Sequence, residues 1–142
     1  AGKALFEKTG LKPSDFSKFA VPQKTGLRPL MTMGKLELDM MQVLPFVLTA
    51  QIGDCGAAGV LLSLAHILDF ADPGERVGVI DYGGGAGCDA WSLVCTDALA
   101  ERRPESGLVI QLIEDKIMVD YATMVKYEQK LIQSPHRLSN FY

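Results

Sequence analysis

The stretch Asp81-Tyr82-Gly83-Gly84-Gly85-Ala86-Gly87 decides how this sequence folds, because it separates two runs of strand-forming residues. The first run, Arg76 to Ile80, is short, apolar and β-branched, and the turn residues Asp72-Pro73-Gly74 precede it. The second run, Cys88 to Cys95, is again typical of a strand. The glycines let the backbone turn sharply, since glycine has no Cβ to clash, and they leave N–H groups available to stabilise an anion.

Three interpretations of this glycine-rich loop fit the sequence. It is a tight connection between two strands, a nucleotide-binding loop, or a loop that stabilises an oxyanion during catalysis. The second interpretation rests on the spacing Asp81-x-Gly83-x-Gly85-x-Gly87, which resembles the first motif of methyltransferases that bind S-adenosylmethionine. That motif requires a helix directly after the glycines, whereas strand formers without a helix cap occupy those positions here. The sequence therefore favours the other two interpretations.

Length and composition indicate one globular domain. The chain has 142 residues, of which 48% are hydrophobic and 22% charged, and this balance is typical of a folded protein. The net charge of −3 gives no reason to expect a nucleic-acid or membrane partner. We expect no signal peptide, because no basic segment followed by an apolar segment opens the sequence. We also expect no metal site and a cytoplasmic location, because the three cysteines lack metal-type spacing and their odd number favours reduced thiols.

Outside the loop, hydrophobic periodicity and turn residues predict the remaining elements. The most distinct helix is Ala57 to Phe70, whose apolar residues recur at helical spacing. The opening residues 1–11 are typical of the end of a helix, so we expect the chain to begin in the middle of an element. We further predict a strand at 19–22, a helix at 26–38, irregular chain or a short helix at 40–52, a short helix at 97–103, a strand at 108–113 and an amphipathic helix at 119–132.

Three blocks of sequence, in order, carry a resemblance to a known family. They are Ile52-Gly53-Asp54-Cys55-Gly56-Ala57-Ala58, the run Leu68 to Val77, and Tyr82-Gly83-Gly84-Gly85-Ala86-Gly87-Cys88-Asp89-Ala90. Together they resemble the C-terminal half of the thiolase superfamily, in particular the archaeal and bacterial hydroxymethylglutaryl-CoA synthases. The segment from Lys116 to Lys130 is similar to the next segment of that family. The resemblance covers about residues 4 to 132, which is nearly the whole chain but half of a family member.

The resemblance implies an α/β fold in which helices cover a mixed sheet of five strands. It implies a domain at residues 1–132 followed by a tail at 133–142. It also implies an acyl-CoA condensing or cleaving enzyme that uses a coenzyme A thioester as substrate and holds no permanent cofactor. In this superfamily a cysteine of the N-terminal half is acylated, so we expect a hetero-oligomer in which a partner chain supplies that cysteine.

The resemblance also assigns site residues. The backbone N–H of Gly84 or Gly85 would stabilise the oxyanion, and removal of one such donor typically costs about 3 kcal/mol. Asp54 stands where the family has a catalytic asparagine, directly after Gly53. An ionised Asp54 would repel an oxyanion, whereas a protonated and buried one would donate to it. We expect the residues that contact the coenzyme A thioester to be Gln23, Gly53, Tyr82 and Gly83.

The family histidine has no counterpart in this sequence. The segment matched to it, Ala20-Val21-Pro22-Gln23, contains proline and no histidine, and proline cannot transfer a proton. His66 lies within the buried helix and is interpreted as a core histidine whose hydrogen bonds are satisfied, and His136 is interpreted as a surface residue of the tail. Two hypotheses therefore stay open for the complex: an enzyme whose site uses Asp54, or a degenerate scaffold subunit that completes an active partner.

Several other reactive or cationic residues are interpreted as structural. A thiol at a helix N-terminus, such as that of Cys55, can have a lowered pKa, but packing against tight backbone is the preferred role for this cysteine. Trp91, Cys88 and Cys95 are predicted to lie in the core. Three scattered lysines are interpreted as a solvated face, although each would suit a coenzyme A phosphate: Lys12, Lys18 and Lys24.

Overall fold

The computed structural model describes residues 1–83 and 87–128 of the chain, in which helices flank a three-stranded sheet. The strands are β1 (Lys18–Ala20), β2 (Arg76–Tyr82) and β3 (Cys88–Val94). The α-helices are α1 (Gly2–Thr9), α2 (Leu27–Leu36), α3 (Met40–Val43), α4 (Thr49–Ile52), α5 (Ala58–Phe70), α6 (Asp97–Arg102), α7 (Val109–Glu114) and α8 (Tyr121–Tyr127). Two short segments, Pro13–Asp15 and Leu44–Phe46, form 3-10 helices.

The sheet is mixed, with β2 in its centre. β1 runs parallel to β2, and β3 returns antiparallel to β2 with Val79 opposite Trp91. The predicted α/β class with a mixed sheet is confirmed. The prediction of five strands is wrong for the described residues, which form three. The extent of the domain, 1–132 with a tail at 133–142, stays a prediction, because residues 129–142 lie outside the described part.

One face of the sheet packs on α5. Val77 and Val79 of β2 point toward this helix and form one core cluster with its residues Val60 and Ile67. Successive side chains of a strand alternate between the two faces, so Gly78 and Ile80 point the other way. The helix ends at Phe70, just before Asp72-Pro73-Gly74, within one residue of both predicted ends.

The other face of the sheet packs on a second core cluster, which combines aromatic rings with aliphatic side chains. The rings of Phe16 and Phe19 are tilted against each other with centroids 4.8 Å apart, and Ile80 belongs to the same cluster. The ring of Phe19 occupies the space where Gly78 lacks a side chain. A Cβ placed on Gly78 would lie 2.0 Å from Cε1 of Phe19, so only glycine fits there.

The predicted strand at 108–113 is wrong, because these residues form α7 instead. Asp69 of α5 accepts a hydrogen bond from the Val109 N–H at 2.8 Å, which satisfies a donor of the first helical turn. The side chain of Gln111 accepts from the N–H groups of Gly107 and Leu108. These bonds outweigh the β-branched residues that favoured a strand.

The last described helix, α8, lies within the predicted helix 119–132, of which residues 129–132 fall outside the described part. It starts two residues later than predicted, where the Asp120 side chain accepts from the Thr123 N–H at 2.9 Å. This bond and that from the Thr123 hydroxyl lower the pKa of Asp120. Among the helices of the described residues, none has the length and apolar character needed to span a bilayer.

Candidate functional site

A cavity of about 480 Å³ opens at the carboxyl ends of β1 and β2. These two strands are parallel, so the residues that come after them meet at the same edge of the sheet. Gln23 comes from the chain after β1, and Asp81 and Tyr82 from the end of β2. Gly56 and Ala57, just before α5, supply the facing wall. The topology therefore brings the predicted residues Gln23 and Tyr82 to one site.

Helix α2 gives the cavity a cationic side. Arg28, Thr32 and Lys35 recur at the i, i+4 and i+7 spacing that places side chains on one helix face, and all three line the cavity. Lys24 lines it as well. Within the described part of the chain, none of the three cations forms an ion pair. Asp81 also lines the cavity, so three positive charges and one negative charge leave it net positive, and the site is suited to an anion.

Gln23 is buried and makes a dense set of hydrogen bonds. Its Oε1 accepts from the backbone N–H of Leu48 at 2.6 Å and of Thr49 at 3.1 Å. Its Nε2 donates to the carbonyl of Gly59 at 2.6 Å. The side chain thus joins the end of β1 to the starts of α4 and α5. Contact between Gln23 and a ligand stays a prediction.

Gly53 and Asp54 lie in the loop between α4 and α5, and neither lines the cavity. Gly53 has a φ of 76° and a ψ of −164°, a conformation that residues with a Cβ avoid. Oδ1 of Asp54 accepts from the Gly56 N–H at 2.9 Å, and its side chain is exposed. The burial that a donor role for Asp54 needs is therefore absent in the chain by itself.

The glycine-rich loop connects β2 to β3 as a hairpin. Tyr82 pairs with Cys88, and the Gly83 N–H donates to the carbonyl of Gly87 at 3.1 Å. The predicted donors Gly84 and Gly85 lie outside the described residues, so their role stays a prediction. Because a strand and not a helix comes after the loop, the requirement of the methyltransferase motif is not met.

The three cysteines have different surroundings. Cys95 is buried, as predicted, and burial, followed by the charge of Glu75, raises the pKa of its thiol. Cys88 is exposed on the cavity wall, so the prediction of a core position is wrong. Cys55 is half-buried, with Sγ 3.9 Å from the Gly53 carbonyl oxygen. Trp91 was also predicted to lie in the core, and it is exposed.

His66 lies in the core, as predicted, between the rings of Phe46 and Phe70. Its Nδ1 is buried, has no hydrogen-bond partner in the described part of the chain and lies 3.9 Å from the Asp69 carboxylate. The prediction that the hydrogen bonds of this histidine are satisfied is therefore wrong for Nδ1. His66 does not line the cavity. His136 lies outside the described residues. No group of three metal-ligating side chains occurs in residues 1–83 and 87–128.

The residues that sequence reasoning missed are the cations of α2. Of the three lysines predicted to form a solvated face, Lys24 lines the cavity, whereas Lys18 pairs with Glu75. Arg28 and Lys35 are not among the residues that the sequence predicts for the site. The signal that could have identified them is their spacing with Thr32, because it places three polar side chains on one face of a helix whose other positions are mostly apolar.

Comparisons with known proteins support the resemblance seen in the motifs. The chain is 41% identical over 132 residues to a hydroxymethylglutaryl-CoA synthase of Aeropyrum pernix. The aligned residues make up 93% of this chain and 37% of the relative. The corresponding enzyme of Methanothermobacter thermautotrophicus is 37% identical over 131 residues, with 92% of this chain and 38% of the relative covered. That of Pyrobaculum arsenaticum is 33% identical, with the same coverage.

A scan of protein-family models gave no match to the chain. The chain spans less than two fifths of the length of the relatives it matches, which is a smaller share than the half expected from its motifs. Over nearly its whole length, the chain is therefore homologous to a segment of hydroxymethylglutaryl-CoA synthase, and its resemblance to part of a thiolase-superfamily enzyme is confirmed.

Proposed function

We propose that this chain is one subunit of a thiolase-superfamily enzyme that condenses or cleaves an acyl-CoA, similar to hydroxymethylglutaryl-CoA synthase. In this proposal a partner chain of the N-terminal type carries the nucleophilic cysteine, and the two chains form a hetero-oligomer. The observation that carries the proposal is the cavity at the ends of β1 and β2, where cations and the predicted residues Gln23 and Tyr82 meet.

The charge of the cavity supports a coenzyme A thioester as the ligand. Coenzyme A carries phosphate groups, and arginine and lysine side chains bind phosphate through charge-assisted hydrogen bonds. Lys24, Arg28 and Lys35 provide three such cations at one side. Val60 and Ile80 supply apolar wall for the uncharged part of the ligand.

The chemistry of the cavity supports a nucleophile from another chain. An activated cysteine needs a neighbouring base or a lowered pKa, and no histidine among residues 1–83 and 87–128 lines the cavity. Cys88 on the cavity wall has no imidazole beside it there, and Cys95 is buried with a raised pKa. Cys55 does not line the cavity, and these surroundings of the three cysteines support a partner chain as the source of the acylated cysteine.

The sheet offers a surface for that partner. On the α5 side of the sheet, Trp91 and Leu93 of β3 are exposed, and Leu61 of α5 is exposed as well. A groove of about 350 Å³ lies between Leu68 of α5 and Leu93 of β3. Burial of apolar surface contributes roughly 25 cal/mol per Å², so packing of a second polypeptide on this face would be favourable.

The direct test is to locate the acyl group. The chain is co-expressed with its N-terminal-type partner, the complex is incubated with radiolabelled acetyl-CoA, and each chain is analysed by mass spectrometry. We expect the label on a cysteine of the partner. A monomeric chain that acylates itself would contradict the proposal.

Binding of the coenzyme tests the cavity separately. Replacement of Lys24 and Arg28 by alanine should weaken coenzyme A binding by the complex at least tenfold, as measured by calorimetry. Lys3 and Lys8 are exposed on α1 and do not line the cavity, so the Lys3→Ala, Lys8→Ala variant is the control with the same loss of charge. Equal affinities of the two variants would refute a coenzyme site here.

A degenerate scaffold subunit remains the second candidate, because the described lining of the cavity contains no histidine and Asp54 is exposed. Asp54→Ala separates the two functions. A loss of turnover of tenfold or more, with the complex intact by size-exclusion chromatography, supports a catalytic contribution from this chain. Unchanged turnover supports the scaffold.

A further inference from the structure

One side chain, Gln23, contacts both segments that flank the Gly53–Ala57 loop. Helix α4 precedes this loop, and its first turn donates to the Gln23 oxygen through the N–H groups of Leu48 and Thr49. Helix α5 comes after the loop, and the Gly59 carbonyl in its first turn accepts from the Gln23 nitrogen. The donor and the acceptor atoms of Gln23 belong to one planar amide, so the two helix starts are held at a fixed separation.

The surroundings of Gln23 leave little freedom for a different arrangement. The residue is buried, and a Cβ on Gly59 would lie 3.4 Å from its Cγ, so helix and side chain are in close contact. The Thr49 hydroxyl donates to the Gln23 backbone carbonyl and also lies 3.2 Å from its Oε1. A buried amide with this many partners is rigid, because a rotation would leave several backbone groups without hydrogen bonds.

We propose that Gln23 is a positioning residue that holds the Gly53–Ala57 loop, and through it Asp54 and the cavity wall at Gly56, in place. The inference deepens the proposed function, since the loop carries a predicted catalytic residue. The claim that Gln23 holds the loop in place does not depend on the proposed function. The proposal replaces direct contact with a ligand as the main role of the Gln23 side chain.

Ser63 provides a matched control. Its hydroxyl is buried on α5 and donates to the Phe46 carbonyl at 2.8 Å, so Ser63→Ala also removes a buried side-chain-to-backbone hydrogen bond. Ser63 lies one turn beyond Gly59 and makes no hydrogen bond to the loop. Any effect that Gln23 variants share with Ser63→Ala therefore reflects general stability.

Gln23→Leu keeps the approximate volume and removes every side-chain hydrogen bond. By amide hydrogen exchange measured with NMR, we expect the Leu48 and Thr49 amides to exchange at least tenfold faster. The same increase is expected at Gly53 and Gly56, which are not bonded to Gln23. Ser63→Ala should change exchange at Gly53 and Gly56 less than twofold. If these two amides are also unaffected in Gln23→Leu, the positioning proposal is refuted.

Gln23→Glu is the second variant, because it keeps the length of the side chain and its acceptor oxygen and changes only the donor to Gly59. An ionised carboxylate still accepts from Leu48 and Thr49 but cannot donate to the Gly59 carbonyl, whereas a protonated carboxyl group can. Exchange is therefore compared at a pH at which the carboxyl 13C shift shows that the introduced side chain is ionised. We expect slow exchange at Leu48 and Thr49 and exchange at Gly56 at least fivefold faster than in the wild type. Slow exchange at all three positions would show that the hydrogen bond to Gly59 does not position the Gly53–Ala57 loop, and would overturn the proposal.

Turnover of the complex tests the catalytic consequence. Gln23→Glu should lower kcat at least tenfold with KM changed less than threefold, whereas Ser63→Ala should leave both unchanged. If the wild-type complex has no acyl-CoA activity, the proposed function fails, and the exchange data still decide whether Gln23 positions the loop. If turnover is normal although the loop exchanges faster, Gln23 has no positioning role in the reaction.

Discussion

Strands β2 and β3 are hydrogen-bonded to each other along seven residue pairs, but their burial differs greatly. Val77 and Val79 of β2 are 0% and 1% exposed, whereas Leu93 and Trp91, directly opposite them, are 39% and 44% exposed. Both pairs point to the face on which α5 lies. The helix covers β1 and β2 and leaves β3 open. Hydrogen bonding to a neighbour therefore places a strand in the sheet but does not bury its side chains.

The difference indicates where the sheet is incomplete. A tryptophan and a leucine next to each other on an uncovered sheet face expose a large apolar area to solvent, and such exposed apolar patches are typical of interaction surfaces. The covered side, in contrast, has a closely packed core around Val79 and Ile67. The exposed part of β3 is thus the surface on which the proposed partner would pack, and three sets of substitutions test this contrast.

The largest expected effect is at Gly78, whose partner across the ladder is Ser92. Gly78→Ala places a Cβ 2.0 Å from the buried Phe19 ring, so we expect a loss of about 3 kcal/mol or more in the free energy of unfolding. Ser92→Ala loses only the hydrogen bond from Arg76 at 2.8 Å and should cost about 1 kcal/mol. Urea denaturation measures both, and equal losses would contradict the contrast between the strands.

A smaller effect is expected when a side chain is truncated on each strand. Val79→Ala removes buried methyl groups and should cost about 2 kcal/mol in the isolated chain. Trp91→Ala should cost less there, although tryptophan is much larger, because its ring is partly solvated. In the proposed complex, Trp91→Ala should weaken partner binding by about 2 kcal/mol, measured by calorimetry. A cost of Trp91→Ala above that of Val79→Ala in the isolated chain would show that β3 is already packed.

The smallest expected effect concerns the ion pair at the covered end of β2. Burial alone would raise the pKa of Glu75, but hydrogen bonds from Lys18 and the Asp72 N–H, with the Lys18 charge, hold it below the ordinary value of 4.5. A carboxylate whose folded-state pKa is lowered stabilises the fold above its unfolded pKa, and this stabilisation is lost as the pH falls through the folded value.

Glu75→Gln should therefore lower stability by about 1 kcal/mol at pH 7 and flatten the fall in stability below pH 4.5. The measurement is urea denaturation at a series of pH values. Glu7→Gln, on the exposed surface of α1, should leave the profile of the wild type unchanged. A profile of Glu75→Gln that still falls like that of the wild type would contradict the role of the pair.

The elements that local sequence determines were predictable. Helix α5 and strands β2 and β3 result from hydrophobic periodicity and from turn residues, and each was found close to its predicted bounds. Helix α7 was not predictable in this way. Its first turn is capped by Asp69, which lies 40 residues earlier in the chain, and such a bond leaves no local pattern.

The site was predictable where it depends on the ends of strands. The positions of Gln23 and Tyr82 at one cavity result from two parallel strands. The exposure of Trp91 was not predictable, because an aromatic residue in a strand is typical of a core and local sequence does not indicate that α5 covers β1 and β2 but not β3. The hydrogen bonds of the Gln23 amide to the starts of α4 and α5 could not be predicted from the sequence either, since their partners are backbone groups, which every residue carries.

The contact between Phe19 and Gly78 also has a consequence for how the sequence can change over time. The phenyl ring of Phe19 fills the volume that a side chain at position 78 would otherwise occupy. Any larger residue at position 78 would be accepted only after position 19 had become smaller. In a set of diverged relatives, we therefore expect these two positions to vary as a pair, with their combined volume nearly constant.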